Sequence, residues 1–242
     1  MIRKLYHKIF LRVNFDLAAR YLPVVDFIKK HYNLNKLKVL EVGSSTDGLA
    51  AFLPIKITGV DIKFSGKVRS NLTPIRITNS RLPFGDDSFD CVVCVDTLEH
   101  IPVEGRQEMI KEMIRVGQSA VLIVVPLGEK AAVQDEKLQD LFKKTWGREF
   151  VFFTEHLKCG LPSKLEITKQ IEVSLKFFRK EAYIKYQPIL NLHIHYLFMW
   201  SMIKAKNKLT EFRAAAFSLF VPVRKLLNFG SCYRGFFIVE LD

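Results

Sequence analysis

KVLEVGSSTDGLA, residues 38–50, is the stretch that decides the fold. An apolar run carries the acid Glu41, a loop with Gly43 and Gly48 follows, and a helical pattern begins at Leu49. A tight glycine loop between a strand and a helix brings backbone close to a ligand and turns helix N–H groups toward it. A dinucleotide fingerprint wants glycine at three places. Gly43 and Gly48 fit the first and third, but Ser45 holds the second, where glycine lets backbone approach a pyrophosphate. With Glu41 just before the loop, the site suits a ligand carrying an ammonium or sulfonium group and no phosphate. Asp61 lies 20 residues after Glu41, at the end of the next apolar run. From there a carboxylate can accept hydrogen bonds from both hydroxyls of a ribose.

Outward from this loop, the pattern predicts an amphipathic helix over 15–32 and strands over 38–42, 56–60, 73–78, 90–95 and 120–125. A helix over 104–116 separates the last two and ends at Gly117. Strands alternating with helices imply a parallel, doubly wound sheet. After Pro126 the pattern changes. Residues 129–145 read as a helix, 150–172 as mixed, 173–178 as a strand, 189–227 as two apolar helices and 234–241 as a closing strand.

The chain has 242 residues, 49% hydrophobic and 26% charged, which suits a folded globular chain and excludes a disordered one. Four cysteines at irregular spacing make no disulfide framework. No signal peptide is expected, and the apolar stretch 188–203, broken by Asn191, His193 and His195, is short of a membrane span. The expected location is therefore the cytoplasm. The net charge of +12 is uneven: the first 40 residues carry nine Lys or Arg against two acids, whereas 41–130 carry ten against twelve. The basic excess flanks the motifs, which argues against a nucleic-acid groove through the site and fits an anionic surface or substrate beside it.

LPFGDDSFDCVVCVDTLEHIP, residues 82–102, joins VLEVGSSTDG and TGVDI in one further reading. Together these stretches resemble a class I S-adenosylmethionine-dependent methyltransferase of the group that includes small-molecule methylators. The resemblance covers residues 38–126. It implies a Rossmann-like seven-stranded sheet with an antiparallel final hairpin, into which YRGFFIVEL, 233–241, inserts as the last strand, together with an N-terminal helix and a helical lid. It further implies a single methyltransferase domain over 1–242: an N-terminal helical segment to 35, a cofactor-binding core over 36–126, and substrate-side helices and final strands over 127–242. S-adenosylmethionine is the implied cofactor. Glu41, Gly43, Ser44, Ser45 and Gly48 match the loop around the methionine part, Asp61 and Ile62 the ribose and adenine contacts, and Asn79, Ser80 and Arg81 the adenine segment. Thr78 stands where an acid is usual. Asp96, Thr97 and Leu98 match the segment beside the reacting methyl group. Residues 155–167 resemble methyltransferases found with surface-glycan biosynthesis.

Methyl transfer demands alignment of acceptor, methyl and sulfur more than acid–base work. The weak candidates for a catalytic role are His100, Glu155 and His156. Cys91 and Cys94, three apart in a strand, point to opposite faces. His193 and His195, two apart on a helix, cannot share an ion. No metal is therefore expected. The aromatic stretch 183–228, with Tyr196, Phe198, Trp200, Phe212, Phe217 and Phe220, reads either as the core of a lid or as a patch for a lipid-linked acceptor. Lys204, Lys206, Lys208, Arg224 and Lys225 surround it, and the basic residues Arg3, Lys4, Lys8 and Arg12 could join it on an anionic leaflet. The expected activity is methyl transfer to a small or lipid-linked acceptor, with peripheral membrane contact and no nucleic-acid partner. The alternatives are a catalytically inactive cofactor-binding partner protein and a methyltransferase acting on protein or RNA. The sequence sets no oligomeric state.

Overall fold

The computed structural model describes residues 15–207, 211–212 and 215–242; Arg3, Lys4, Lys8, Arg12 and Lys208 lie outside them. The elements in chain order are α1 (Phe15–His31), β1 (Val39–Val42), a 3-10 turn (Gly48–Ala51), β2 (Ile57–Asp61), β3 (Leu72–Arg76), β4 (Phe89–Val95), a 3-10 turn (Leu98–His100), α2 (Val103–Val116) and β5 (Gly117–Pro126). Then come α3 (Gly128–Trp146), α4 (Val151–Cys159), α5 (Lys164–Phe178), β6 (Ala182–Asn191), α6 (Leu192–Ile203), a 3-10 stretch (Phe217–Leu227) and β7 (Cys232–Leu241).

The seven strands form one sheet in the order β3-β2-β1-β4-β5-β7-β6. β1 to β5 are parallel, and β7 runs antiparallel to both β5 and β6. β1, β4 and β5 were legible because a parallel strand covered on both faces is largely apolar; the edge strand β3 is mostly exposed. The period of two sorts their side chains between the faces. Cys91, Val93 and Val95 pack with α1, while Val92 and Cys94 pack with Met109, Ile110 and Met113 of α2. The two cysteines thus lie on opposite faces. Ala120, Leu122 and Val124 of β5 share the α1 side, and Val121, Ile123 and Val125 the α2 side.

Three expectations are corrected. The helix expected from Leu49 is a single 3-10 turn, Gly48–Ala51. The strand expected at 173–178 is the second half of α5. There Ser163 accepts from the Glu166 N–H and Glu166 reaches back, a full capping box, and Ile167, Ile171 and Leu175 bury at helical spacing. The β-branched and aromatic run 173–178 reads as a strand only when that upstream cap is ignored. The strand itself lies further on, as β6, whose last residues, 189–191, take the start of the stretch expected to be helical. β6 is an edge strand of mixed polarity, so it tolerates Pro188 opposite Gly235. The second expected apolar helix is instead the 3-10 stretch Phe217–Leu227, with Pro222 inside it.

Candidate functional site

β1 and β4 are neighbours in the sheet, yet the chain leaves β1 toward β2 on one side and β4 toward β5 on the other. A sheet of this kind opens a crevice at that reversal, beyond the carboxyl ends of the strands. The crevice here is a cleft of about 1890 Å³, reaching from Gly43, Asp61 and Ile62 to His100, Phe152 and His156. Small-ligand sites run to roughly 300–1,000 Å³, so this one has room for two ligands side by side.

The floor of one end is the loop after β1. Gly43, Ser45 and Gly48 all take left-handed backbone, at φ 75, 49 and 40°. A Cβ on Gly43 would meet Oγ1, Cγ2 and Cβ of Thr97 at 2.1 to 2.8 Å, so no rotation of Thr97 could make room. The Thr97 hydroxyl meanwhile donates between the carbonyls of Val42 and Val95. The loop spends its first three N–H groups internally. Those of Gly43 and Ser44 donate to Val60 O at 2.8 and 3.3 Å, and that of Ser45 donates to Asp61 Oδ2 at 2.8 Å. Asp61 Oδ1 also accepts from Lys63 N, which leaves lone pairs of this half-buried carboxylate facing the cleft. Beside it Ile62 is 70% exposed, an apolar side chain held out on the cleft wall.

Glu41 lies beneath the loop and is fully buried. Its carboxylate accepts from the Tyr21 hydroxyl at 3.0 Å and from Leu49 N at 2.7 Å. Burial pushes its pKa up to about 8, against the pull of those two donors. Its role is therefore to fasten α1 and the 3-10 turn to β1. A Cβ on Gly48 would strike that same carboxylate.

Past β4, Asp96 accepts from Arg20 Nη1 of α1 at 2.7 Å and from Arg234 Nε of β7 at 2.9 Å. Arg234 also donates to both oxygens of Asp16, at 2.7 and 3.1 Å. Burial alone would raise the Asp96 carboxyl; the Arg234 and Arg20 guanidiniums outweigh it and hold the group well below the usual carboxylate range. The four residues tie α1 and β7 across the cleft wall. Leu98 turns away from the cleft into the core beside α2. Asn79, Ser80 and Arg81 also fall outside the cleft lining. Asn79 Oδ1 caps its own turn by accepting from Arg81 N, and the Arg81 guanidinium lies toward Glu112 at 3.9 Å.

The other end brings together residues from distant segments. Arg106, buried in α2, donates to Leu98 O and Ile101 O at 3.0 Å, to Cys159 O at 2.9 Å and to Gly160 O. It thereby fixes the turn carrying Glu99 and His100 against the end of α4, which carries Glu155 and His156. His100 Nδ1 lies 2.7 Å from Glu155 Oε2, off the line of a good hydrogen bond. His156 Nδ1 meets Asp135 Oδ2 of α3 at 2.7 Å, and Asp135 accepts from the Tyr233 hydroxyl at 2.8 Å. Glu99 is completely buried, and neither of its carboxylate oxygens has a hydrogen-bond partner among the described residues. Burial raises its pKa well above the usual range. All three weak catalytic candidates thus meet at one end of the cleft. Sequence reasoning missed Arg20, Arg106, Asp135, Tyr233 and Arg234, which act across the fold and carry no local spacing signal.

Residues 40–125 match the family model described as a methyltransferase domain. No curated protein matches the chain. Among solved structures, it is similar to a SAM-dependent methyltransferase of Thermotoga maritima, given as a possible histamine N-methyltransferase. That pair shares 17% identity, covers 99% of this chain and 96% of the other, and has a TM-score of 0.59. It is also similar to magnesium protoporphyrin IX methyltransferase of Synechocystis with bound SAH, at 15% identity over 90% of this chain and 80% of that one, with a TM-score of 0.53. At these identities the likenesses establish the fold. No helix among the described residues is long and apolar enough to cross a membrane.

Proposed function

We propose that the chain is an S-adenosylmethionine-dependent methyltransferase, in which residues 1–242 act as one domain that methylates a small or lipid-linked acceptor. In this reading 36–126 hold the cofactor, and 127–242 build the acceptor side. The observation that carries it is the pairing, in one cleft with room for two ligands, of the Asp61 and Ile62 wall with the His100 and His156 end.

The residues present fit the cofactor. Asp61 offers lone pairs to a ribose, and Ile62 offers an apolar face to an adenine. The bare backbone at Gly43 leaves room for the methionine part, with Asp96 and Thr97 alongside. Because the N–H groups of Gly43, Ser44 and Ser45 are already spent, the first half of the loop offers none of them to a pyrophosphate. S-adenosylmethionine supplies a methyl group already activated on sulfur. The chain's own work is to hold the acceptor in line and to keep water out. Phe150, Phe152, Met199 and Met202 line the acceptor end and supply the apolar walls for that work.

A lipid-linked acceptor draws support from exposed apolar side chains: Leu197 and Trp200 on α6, Leu219, Phe220 and Leu226 on the 3-10 stretch, and Phe229 just after it. Phe198 and Phe217, by contrast, pack with Phe15 as core. Action in the cytoplasm with contact to an anionic leaflet follows from the same reading; co-sedimentation with anionic vesicles, released by salt, checks it. The surface-glycan association rests on the sequence resemblance of 155–167 alone. The test of the function is incubation of the purified chain with methyl-labelled S-adenosylmethionine and a fractionated cell extract. A labelled small or lipid-extractable product supports the proposal. Label confined to protein or RNA, or no turnover by a chain that binds S-adenosylhomocysteine, overturns it.

A further inference from the structure

We propose that Glu99, His100 and His156 form a binding site for one divalent transition-metal ion at the acceptor end of the cleft. The three side chains offer one ligand atom each, all within 4.8 Å of one another. Glu99 Oε1 stands 4.0 Å from His100 Nε2 and 3.9 Å from His156 Nε2. Atoms bound about 2.0–2.2 Å from a zinc ion lie roughly 3–3.5 Å apart, so an ion would draw these side chains in by less than about 1 Å.

Two independent features point to a cation. The first is Glu99 itself. A buried carboxyl group with neither oxygen hydrogen-bonded leaves polar atoms unsatisfied, which is costly even when the group is neutral. An ion at the point its oxygens and the two imidazoles face would remove that cost. The second is what lies behind the histidines. His156 gives its Nδ1 to Asp135, itself held by the Tyr233 hydroxyl; His100 makes no such bond, and Glu155 lies only near its Nδ1. A carboxylate behind one ring nitrogen sets the tautomer that leaves the other, Nε2, with its lone pair free for a metal. Both Nε2 atoms lie on the Glu99 side.

One carboxylate oxygen with two imidazole nitrogens is a borderline donor set. It suits zinc, cobalt(II), iron(II) or manganese(II) better than magnesium or calcium, which favour oxygen throughout. Three protein ligands leave coordination positions open toward the cleft, and an acceptor oxygen could fill one. A metal there would orient a hydroxyl or enol acceptor and favour its ionised form. That role rests on the methyltransferase reading; the binding of the ion does not. No spacing motif announces the site, because its ligands come from a turn after β4 and from the middle of α4.

The test uses the full chain, stripped with a chelator and titrated with zinc and with cobalt(II), read by calorimetry and by the visible spectrum of cobalt. One equivalent of metal should bind. Glu99→Gln and His100→Gln should each weaken that binding at least a hundredfold while the far-ultraviolet dichroism is kept. His156→Gln should do the same, and where it fails to fold the other two variants carry the test. Asp61→Asn should leave metal affinity unchanged and weaken only S-adenosylhomocysteine. A stripped wild-type chain that takes up neither metal overturns the proposal, as does unchanged affinity in folded Glu99→Gln. S-adenosylhomocysteine binding, measured on the same stripped sample, reports the methyltransferase reading separately.

Discussion

The two ends of the cleft are built on opposite electrostatic plans. At the β1–β2 end polar groups are matched within the chain: Glu41 has two donors, Asp61 accepts from two backbone N–H groups, and Asp96 is clamped between two arginines. At the α4 end Glu99 is as deeply buried as Glu41, and neither of its oxygens is hydrogen-bonded. Two fully buried carboxyls, one in β1 and one in the turn after β4, thus differ in the one respect that decides their use. A satisfied buried group holds a shape, whereas an unsatisfied one stores a demand that a ligand can meet. In the proposed reading the first end is preformed scaffolding for the cofactor, and the second is the acceptor end.

The largest effect should come from breaking the clamp. Arg234→Met takes one of the two guanidiniums from buried Asp96 and a paired donor from Asp16, and removing one partner of a buried ion network costs about 3–5 kcal/mol. Denaturant unfolding should register that loss. A change below about 1 kcal/mol would mean the clamp is not part of the scaffold.

Next comes Gly43→Ala. It puts a Cβ into Thr97 and forces alanine into left-handed backbone, which together should cost about 2–4 kcal/mol. Thr97→Ser does not relieve the contact with the Thr97 Cβ, so the double variant should recover only part of the loss. Full recovery would show that the loop does not need its present path.

A smaller effect concerns Glu41. Its carboxyl is raised to about 8 in the folded chain from 4.5 in a free one. Between these values the folded state holds a proton that the unfolded state has released, so this group's contribution to stability falls as pH rises from about 4.5 to 8 and is level beyond. Glu41→Gln keeps an oxygen for the Leu49 N–H and does not titrate. The variant should therefore gain on the wild type between pH 5 and 8 in paired thermal melts. A difference that stays flat with pH would place the wild-type carboxylate in its charged form throughout.

How much of this was legible in the sequence follows from how each part is encoded. β1, β4 and β5 are largely apolar because both faces are covered, so the signal is carried by each strand alone. The place of Asp61 at the end of β2, on the cleft, was legible from its distance along the chain from Glu41; its contact with a ribose is the proposal. β6 was missed because an edge strand half open to water lacks an apolar run, and α5 was misread in its second half because its cap lies at Ser163, ten residues before Val173. The Glu99, His100 and His156 group was split: the latter two were candidates one by one, but only Arg106, bridging 98–101 to 159–160, makes them neighbours.

The central claim is that the preformed end of the cleft receives an adenosyl group through Asp61 and offers none of the first three loop N–H groups to a pyrophosphate. Calorimetry of S-adenosylhomocysteine and of NAD, with the wild type and Asp61→Ala, tests it most directly. Charge-assisted hydrogen bonds of about 1.5–3 kcal/mol correspond to roughly a ten- to hundredfold change in affinity. The wild type should bind S-adenosylhomocysteine at least tenfold more tightly than NAD, and folded Asp61→Ala should lose about ten- to a hundredfold in that affinity. Tighter binding of NAD, or an unchanged affinity in the variant, would contradict the account.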